Sequence, residues 1–498
     1  MKKQTMHAAN VKKGRKLGNG LTRFGMTSMN NVWALLLSLT MVLISLPVSV
    51  TGQALPSRGA VALTNVTIID GNGGRPKANQ TIIIRDGLIT DLFTTGRKRL
   101  DKGVTVMDMT GRFVIPGLVD SHVHLTAGPR TEEEFKASLS SALLGGLTSV
   151  RDMGGDGITL AEKARAARDV NVLSPRIYFS SIMAGPSWFT DPRARASAHG
   201  LNPGEQAWLR SISATTDIPK AISEAKATGA TGIKMYADLP PDLVRKLTAE
   251  AHRQGLKVWS HATIFPSKPR DALLAGVDVL SHSALLAYEG MDRVPESYRA
   301  NRGAVVGYEA IATDSEAMTK LLTGMRRGTI LDATLFVTGQ LAKPSASTAN
   351  LQDARLAWTY EITRRAHRLG VTIAAGTDGM GRGMMPNIHT EMELLVSKCG
   401  LTPLEAITAA TRNGARALGV EKYAGTIEVG KIADLVVLDA DPSVDINNTR
   451  RIICVVKGGA LHSRRETTSL LNLPDMYRST PALWFDQAML PEDEEHAD

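Results

Sequence analysis

The chain is poor in two things. Of 498 residues only two are cysteine, Cys399 and Cys454, and aromatic residues make up 5%. Two cysteines this far apart exclude a disulfide-built scaffold; a single bridge and a pair of free thiols both remain open. The first 54 residues contain no acidic side chain, but they do contain Lys2, Lys3, Lys12, Lys13, Arg15, Lys16 and Arg23. Those seven account for most of the formal net charge of +9. The remainder is close to neutral, which removes the argument for a nucleic-acid partner. Apolar runs of membrane-spanning length are also missing, apart from "VWALLLSLTMVLISLPVSV" at 32–50.

That run follows the basic segment and leads into "TGQA", with Pro47 near its end and small residues at Gly52 and Ala54. The order matches a secretory signal cleaved after Ala54, so an exported protein is expected, periplasmic or extracellular. Left uncleaved, the same segment would be an N-terminal anchor and the only contact with a membrane. Residues 1–54 are therefore set apart as signal peptide or anchor.

What remains divides by hydrophobic period. Residues 55–112 and 420–465 read as short strands separated by turns, as in "QTIIIRDGLITDLF" and "GTIEVGKIADLVVLDA". They predict one small β-sandwich-like domain built from both ends of the mature chain. Residues 466–498 form a C-terminal extension with an acidic end.

Between them, at 113–419, apolar β-runs alternate with helical patterns. Eight such runs occur: "RFVIPGLVDSHVH", "LTSVRDMG", "RIYFSSIMA", "GIKMYAD", "LKVWSHAT", "VDVLSHS", "TILDATLFV" and "VTIAAGTDG". Eight strand–helix units predict an α/β fold of the (β/α)8 TIM-barrel type, with its functional groups at the C-terminal strand ends.

Unusual polar residues do fall there. Asp120, His122 and His124 share one face of the first strand, because strand side chains alternate. His261 and His282 end the fifth and sixth strands, and Asp378 follows the eighth. Any one of these histidines alone would be unremarkable. Four imidazoles and a carboxylate at strand ends together suit a divalent cation. Lys234 sits inside an apolar strand, where a buried ammonium is costly. Either it reaches the rim or pairs with Asp238, or its neutral amine takes up carbon dioxide as a carbamate, an anionic ligand able to bridge two metals.

The ordered set "VDSHVHL", "GIKMYAD", "WSHAT", "LSHS", "AGTDG" and "AGTIEVGKIADLVVLDADP" resembles the amidohydrolase superfamily over about residues 60–465. It is most similar to the imidazolonepropionase-like and Xaa-Pro dipeptidase-like branch. The resemblance implies that His122, His124 and Asp378 hold one metal and that His261 and His282 hold a second. N6-carboxylated Lys234, formed from carbon dioxide or bicarbonate, would lie between two Zn2+ ions. It also implies a metal-activated hydroxide as nucleophile, with Asp378 as general base and then acid. One departure is that Lys234 is followed by Met235, Tyr236, Ala237 and Asp238 rather than a glycine-rich stretch, which weakens a specific dipeptidase assignment.

The expected activity is cleavage of an amide, peptide-like or cyclic amide bond of a small molecule. A lactone or ester hydrolase, a mononuclear deaminase, and a metal- or ligand-binding barrel without turnover are the alternatives. Trp188 and Arg193 in the long loop after strand three, with Tyr236, Tyr288 and His389, are candidate substrate contacts. Asp120 is a candidate orienting residue behind the metal ligands. A homo-oligomer is expected.

Overall fold

A computed structural model describes residues 59–126, 130–298, 307–341, 349–379 and 385–463. The expected signal or anchor segment and the C-terminal extension lie outside the described residues. Among the described residues no helix is long and apolar enough to cross a membrane.

Both ends of the described chain meet in one mixed sheet. Val61–Ile68, Lys77–Arg85, Leu88–Thr94, Thr105–Asp108 and Phe113–Pro116 come from the N-terminal side. Leu435–Leu438, Ile452–Lys457 and Ala460–Ser463 come from the C-terminal side. The two contributions join where Phe113–Pro116 runs antiparallel to Leu435–Leu438. Period-two alternation explains why all four residues of Leu435–Leu438 are buried. Leu435 and Val437 point into a core shared with Leu63, Ile82 and Val114. Val436 and Leu438 point the other way, into a core with Ile115, Leu118 and Leu147 that belongs partly to the barrel.

Eight parallel strands form the barrel: Leu118–Val123, Leu147–Asp152, Arg176–Ala184, Gly232–Met235, Lys257–His261, Val279–Ser281, Ile330–Asp332 and Ile373–Ala374. Regular pairing runs from strand one through strand eight. The seam between strands eight and one is closed by single bonds, Ser121 N to Ala375 O at 3.0 Å and Asp378 N to His122 O at 2.8 Å. The barrel is therefore nearly closed, and its strand order is that of a TIM barrel.

Two expected strands differ in extent. "RFVIPGLVDSHVH" is two strands, because Phe113–Pro116 pairs within the small sheet and the barrel begins at Leu118. "TILDATLFV" stops at Asp332, and Leu335–Leu341 is a helix. The turn is set from outside, since the Glu391 carboxylate accepts from Leu335 N at 3.0 Å and Phe336 N at 2.7 Å. Both cysteines are free and buried, Cys399 in the core beneath the barrel helices and Cys454 in the small sheet.

Candidate metal centre

His122, His124 and Asp378 converge at the strand ends, with their ligand atoms all within 4.8 Å of one another. His124 Nε2 lies 3.3 Å from Asp378 Oδ1 and His122 Nε2 lies 3.6 Å from it. All three side chains are buried. The opposite ring nitrogens are anchored. His124 Nδ1 donates to the Gly154 carbonyl at 2.9 Å, and His122 Nδ1 meets Asp332 Oδ2 at 2.7 Å. Since a carbonyl only accepts, the Nδ1 of His124 is the donor there, and Nε2 is the nitrogen turned toward Asp378.

His282 and His261 stand beside this group. The His282 ring is 4.8 Å from that of His122 and 4.9 Å from that of His261. Its Nδ1 is 2.9 Å from Thr334 Oγ1 and 3.9 Å from Asp378 Oδ2. Burial, above all, holds His122, His261 and His282 well below the usual histidine range, so the imidazoles are neutral. His282, Thr334 and Asp378 all have left-handed backbones, with φ of 72°, 51° and 55°. Such conformations are uncommon outside glycine, and here they occur together where strands six to eight turn into the mouth.

Lys234 is fully buried in strand four. Its amine is pushed down to about 7 by burial and by the Arg151 guanidinium, against the pull of Asp332 and Asp378. Lys234 Nζ has no hydrogen-bond partner among the described residues. It neither reaches the rim nor pairs with Asp238, whose carboxylate instead accepts from Ser187 Oγ at 2.6 Å and Tyr298 N at 2.5 Å.

A buried set of neutral imidazoles, one carboxylate and an amine lacking a hydrogen bond matches the donors a divalent cation takes. The anchoring of the outer ring nitrogens is the arrangement that orients histidine ligands. The residues present fit such a cation.

Asp120 lies behind the ligands. Its carboxylate accepts from His122 N at 3.1 Å, Thr377 N at 3.0 Å and Thr377 Oγ1 at 2.7 Å, while burial raises it to about 7. Tyr236 extends from strand four with its ring 4.2 Å from that of His261 and 4.5 Å from that of Trp188. Trp188 lies on the 3-10 turn Pro186–Thr190 and is fully buried. Arg193, on the short helix Pro192–Ser197, covers the Tyr236 and Tyr298 rings at 5.9 and 5.3 Å. Its guanidinium forks onto Asp191, at 2.9 Å from Nε and 2.7 Å from Nη2. Tyr288 packs edge-on against Phe265 with ring centroids 4.9 Å apart.

His389 is elsewhere. Its ring bridges Thr449 Oγ1 and the Gly145 carbonyl, each at 2.9 Å. Gly145 lies in the turn leading into strand two, on the side opposite to the strand's functional end, so His389 ties a helix in place away from the cluster. Conversely, Arg151, Asp332, Thr334, Thr377 and Tyr298 all belong to the surroundings of the cluster and escaped the reading of the sequence. Arg151 carries the signal that identified the histidines, a charged residue late in an apolar strand.

The sequence model of the Amidohydrolase family matches residues 113–461. An imidazolonepropionase of Symbiobacterium thermophilum is 30% identical over 352 residues, covering 67% of this chain and 76% of the relative. The imidazolonepropionase of Pyrobaculum arsenaticum is 26% identical, with 72% and 85% covered. Among solved structures, a Xaa-Pro dipeptidase with bound methionine superposes with a TM-score of 0.65 at 21% identity, covering 81% of this chain and 100% of that one. Ochratoxinase of A. niger gives 0.63 at 22% identity, with 81% and 95% covered, and shares the fold. With the family match spanning well over half its length, this chain belongs to the amidohydrolase family, hydrolases of carbon–nitrogen bonds.

Proposed function

We propose that the chain is a metal-dependent amidohydrolase that cleaves an amide, peptide-like or cyclic amide bond of a small molecule. The observation that carries this reading is the buried convergence of His122, His124 and Asp378, with His261, His282 and Lys234 around it. His122, His124 and Asp378 would hold one divalent cation, with Zn2+ the first choice for nitrogen and oxygen donors. His261 and His282 would hold a second, with Lys234 as its N6-carboxylate between them.

Bound there, a divalent cation supplies Lewis-acid polarisation of a carbonyl and lowers the pKa of a water. The protein's own groups supply the rest. Asp378 accepts the proton of the attacking water at a carboxylate oxygen and returns it to the leaving nitrogen, acting as base and then acid. Asp120 holds the backbone on both sides of the seam, at His122 and Thr377, and so keeps Asp378 facing the histidines. Tyr236 and Trp188, with Arg193 over the Tyr236 ring, would provide an aromatic flank beside His261 that packs a substrate side group, and Tyr288 would extend it through Phe265. The imidazolonepropionase and dipeptidase relatives support a small substrate with a carbon–nitrogen bond. The basic, then apolar leader supports export as the enzyme's route.

The test is elemental analysis of wild type and Lys234→Ala, both purified with bicarbonate and zinc, followed by a panel of small amides, cyclic amides and lactones. About two metals per wild-type chain, falling sharply in the variant, with turnover of an amide, is the expected result. A fully loaded protein inert on every amide, or one with no metal, overturns the proposal. N-terminal sequencing of the secreted protein checks export, with Leu55 the expected first residue.

A further inference from the structure

Asp332 ends barrel strand seven and is fully buried. One of its oxygens, Oδ2, takes three bonds: from His122 Nδ1 at 2.7 Å, Arg151 Nη2 at 2.9 Å and Ser281 Oγ at 3.0 Å. The donors stand on strands one, two and six. Arg151 is itself fully buried, donates through Nε to the Ser121 carbonyl, and lies 5.0 Å from the Trp259 ring. Strand eight passes the carboxylate at Gly376, where an added Cβ would stand 2.1 Å from Asp332 Oδ1.

A buried ion pair is a poor device for stability alone, since apolar side chains of similar volume do as well or better. This pair has a more particular geometry. Three donors converge on one oxygen, while Oδ1 takes no hydrogen bond among the described residues, and one of the three donors is a ring nitrogen of a candidate ligand. A carboxylate oxygen only accepts, so His122 Nδ1 is the donor to Oδ2, which leaves the lone pair of the neutral ring on Nε2, the nitrogen that faces Asp378 Oδ1.

We infer that Asp332, held by Arg151 and Ser281, is the positioning residue that fixes the ring and the tautomer of His122 for cation binding. The inference rests on the metal-dependent reading above. Arg151 acts through Asp332 and not on the cation. Asp332 is the counterpart, made with a side chain, of what the Gly154 carbonyl does for His124.

The test is cation affinity by chelator competition for wild type, Asp332→Asn, Arg151→Met, Ser281→Ala and the Asp332→Asn/Arg151→Met double variant. Thermal unfolding of the metal-free forms runs alongside. Asp332→Asn and Arg151→Met should each weaken binding by about 10- to 100-fold, the range for residues that orient metal ligands. The double variant should bind no more weakly than Asp332→Asn, because both changes break one path. Affinities that simply track the metal-free thermal midpoints, or losses that add in the double variant, overturn the inference. If Asp332→Asn does not fold, Ser281→Ala decides: a several-fold loss of affinity at an unchanged metal-free midpoint supports it, and unchanged affinity overturns it. A wild type that binds no cation defeats the metal-dependent reading itself, which distinguishes that failure from this one.

Discussion

Asp120 and Thr377 are joined twice across the barrel seam, through the Thr377 hydroxyl at 2.7 Å and its backbone N–H at 3.0 Å. The same carboxylate holds His122 N at 3.1 Å. No regular ladder joins strands eight and one among the described residues, so this carboxylate does there what pairing does elsewhere in the barrel. Thr377→Val removes the hydroxyl but keeps the shape. It should cost about 1–3 kcal/mol in denaturant unfolding, the penalty for a buried acceptor left short of a donor. It should also weaken cation binding, and Thr377→Ser should restore both.

Gly376 allows strand eight to pass the cluster. A Cβ at this position would meet Asp332 Oδ1 at 2.1 Å and His122 Cβ at 2.8 Å, both held by the network described above. Gly376→Ala should destabilise the fold by about 1–3 kcal/mol or more, since neither neighbour can retreat. A Gly376→Ala protein with wild-type stability and cation affinity would show that the strand end can move freely.

Glu391 is fully buried where it caps the helix Leu335–Leu341, and burial raises it from 4.5 to about 8. Its folded pKa lies above its unfolded one, so the folded state binds the extra proton. The contribution is complete below pH 4.5 and is lost as pH rises to about 8. One such proton gives a slope of at most about 1.4 kcal/mol per pH unit. Glu391→Gln should lower stability at pH 5, where it gives up one capping bond, and should flatten the decline between pH 5 and 8. Parallel unfolding curves for the two proteins across that range would reject this account.

His261 and His389 are both buried histidines, yet they should fail differently. His389→Ala removes bonds to Gly145 and Thr449 and should lower the unfolding free energy by about 1–3 kcal/mol, leaving cation stoichiometry alone. His261→Ala should reduce cation loading with a smaller effect on unfolding. Elemental analysis and denaturant titration of the two variants separate these outcomes.

The contrast between these two histidines also shows what was legible from the chain. His122, His124, His261, His282 and Asp378 could be read because local apolar periodicity places them at strand ends, and a barrel gathers strand ends. His389, read from the sequence only as a candidate substrate contact, could not be placed, since its partners lie 244 and 60 residues away in the chain. Asp332 was hidden for a related reason. Read as one strand, "TILDATLFV" puts it mid-element, whereas the strand stops there because Glu391, 56 residues on, starts a helix at Leu335. Arg193 has a local partner, the fork onto Asp191 two residues earlier, which sequence spacing alone did not reveal. Periodicity reports elements; long-range hydrogen bonds decide where they stop.

The small sheet has a kinetic corollary. Its central pairing joins Phe113–Pro116 to Leu435–Leu438, and the whole barrel is threaded between them. During synthesis the N-terminal strands emerge first and must wait, with an edge of unpaired backbone groups, until the last strands have been made. Contacts so distant in the chain form late and slowly. Until then that open edge is where a nascent chain is most exposed to pairing with another copy. The last strands to be made therefore also end the chain's most vulnerable interval.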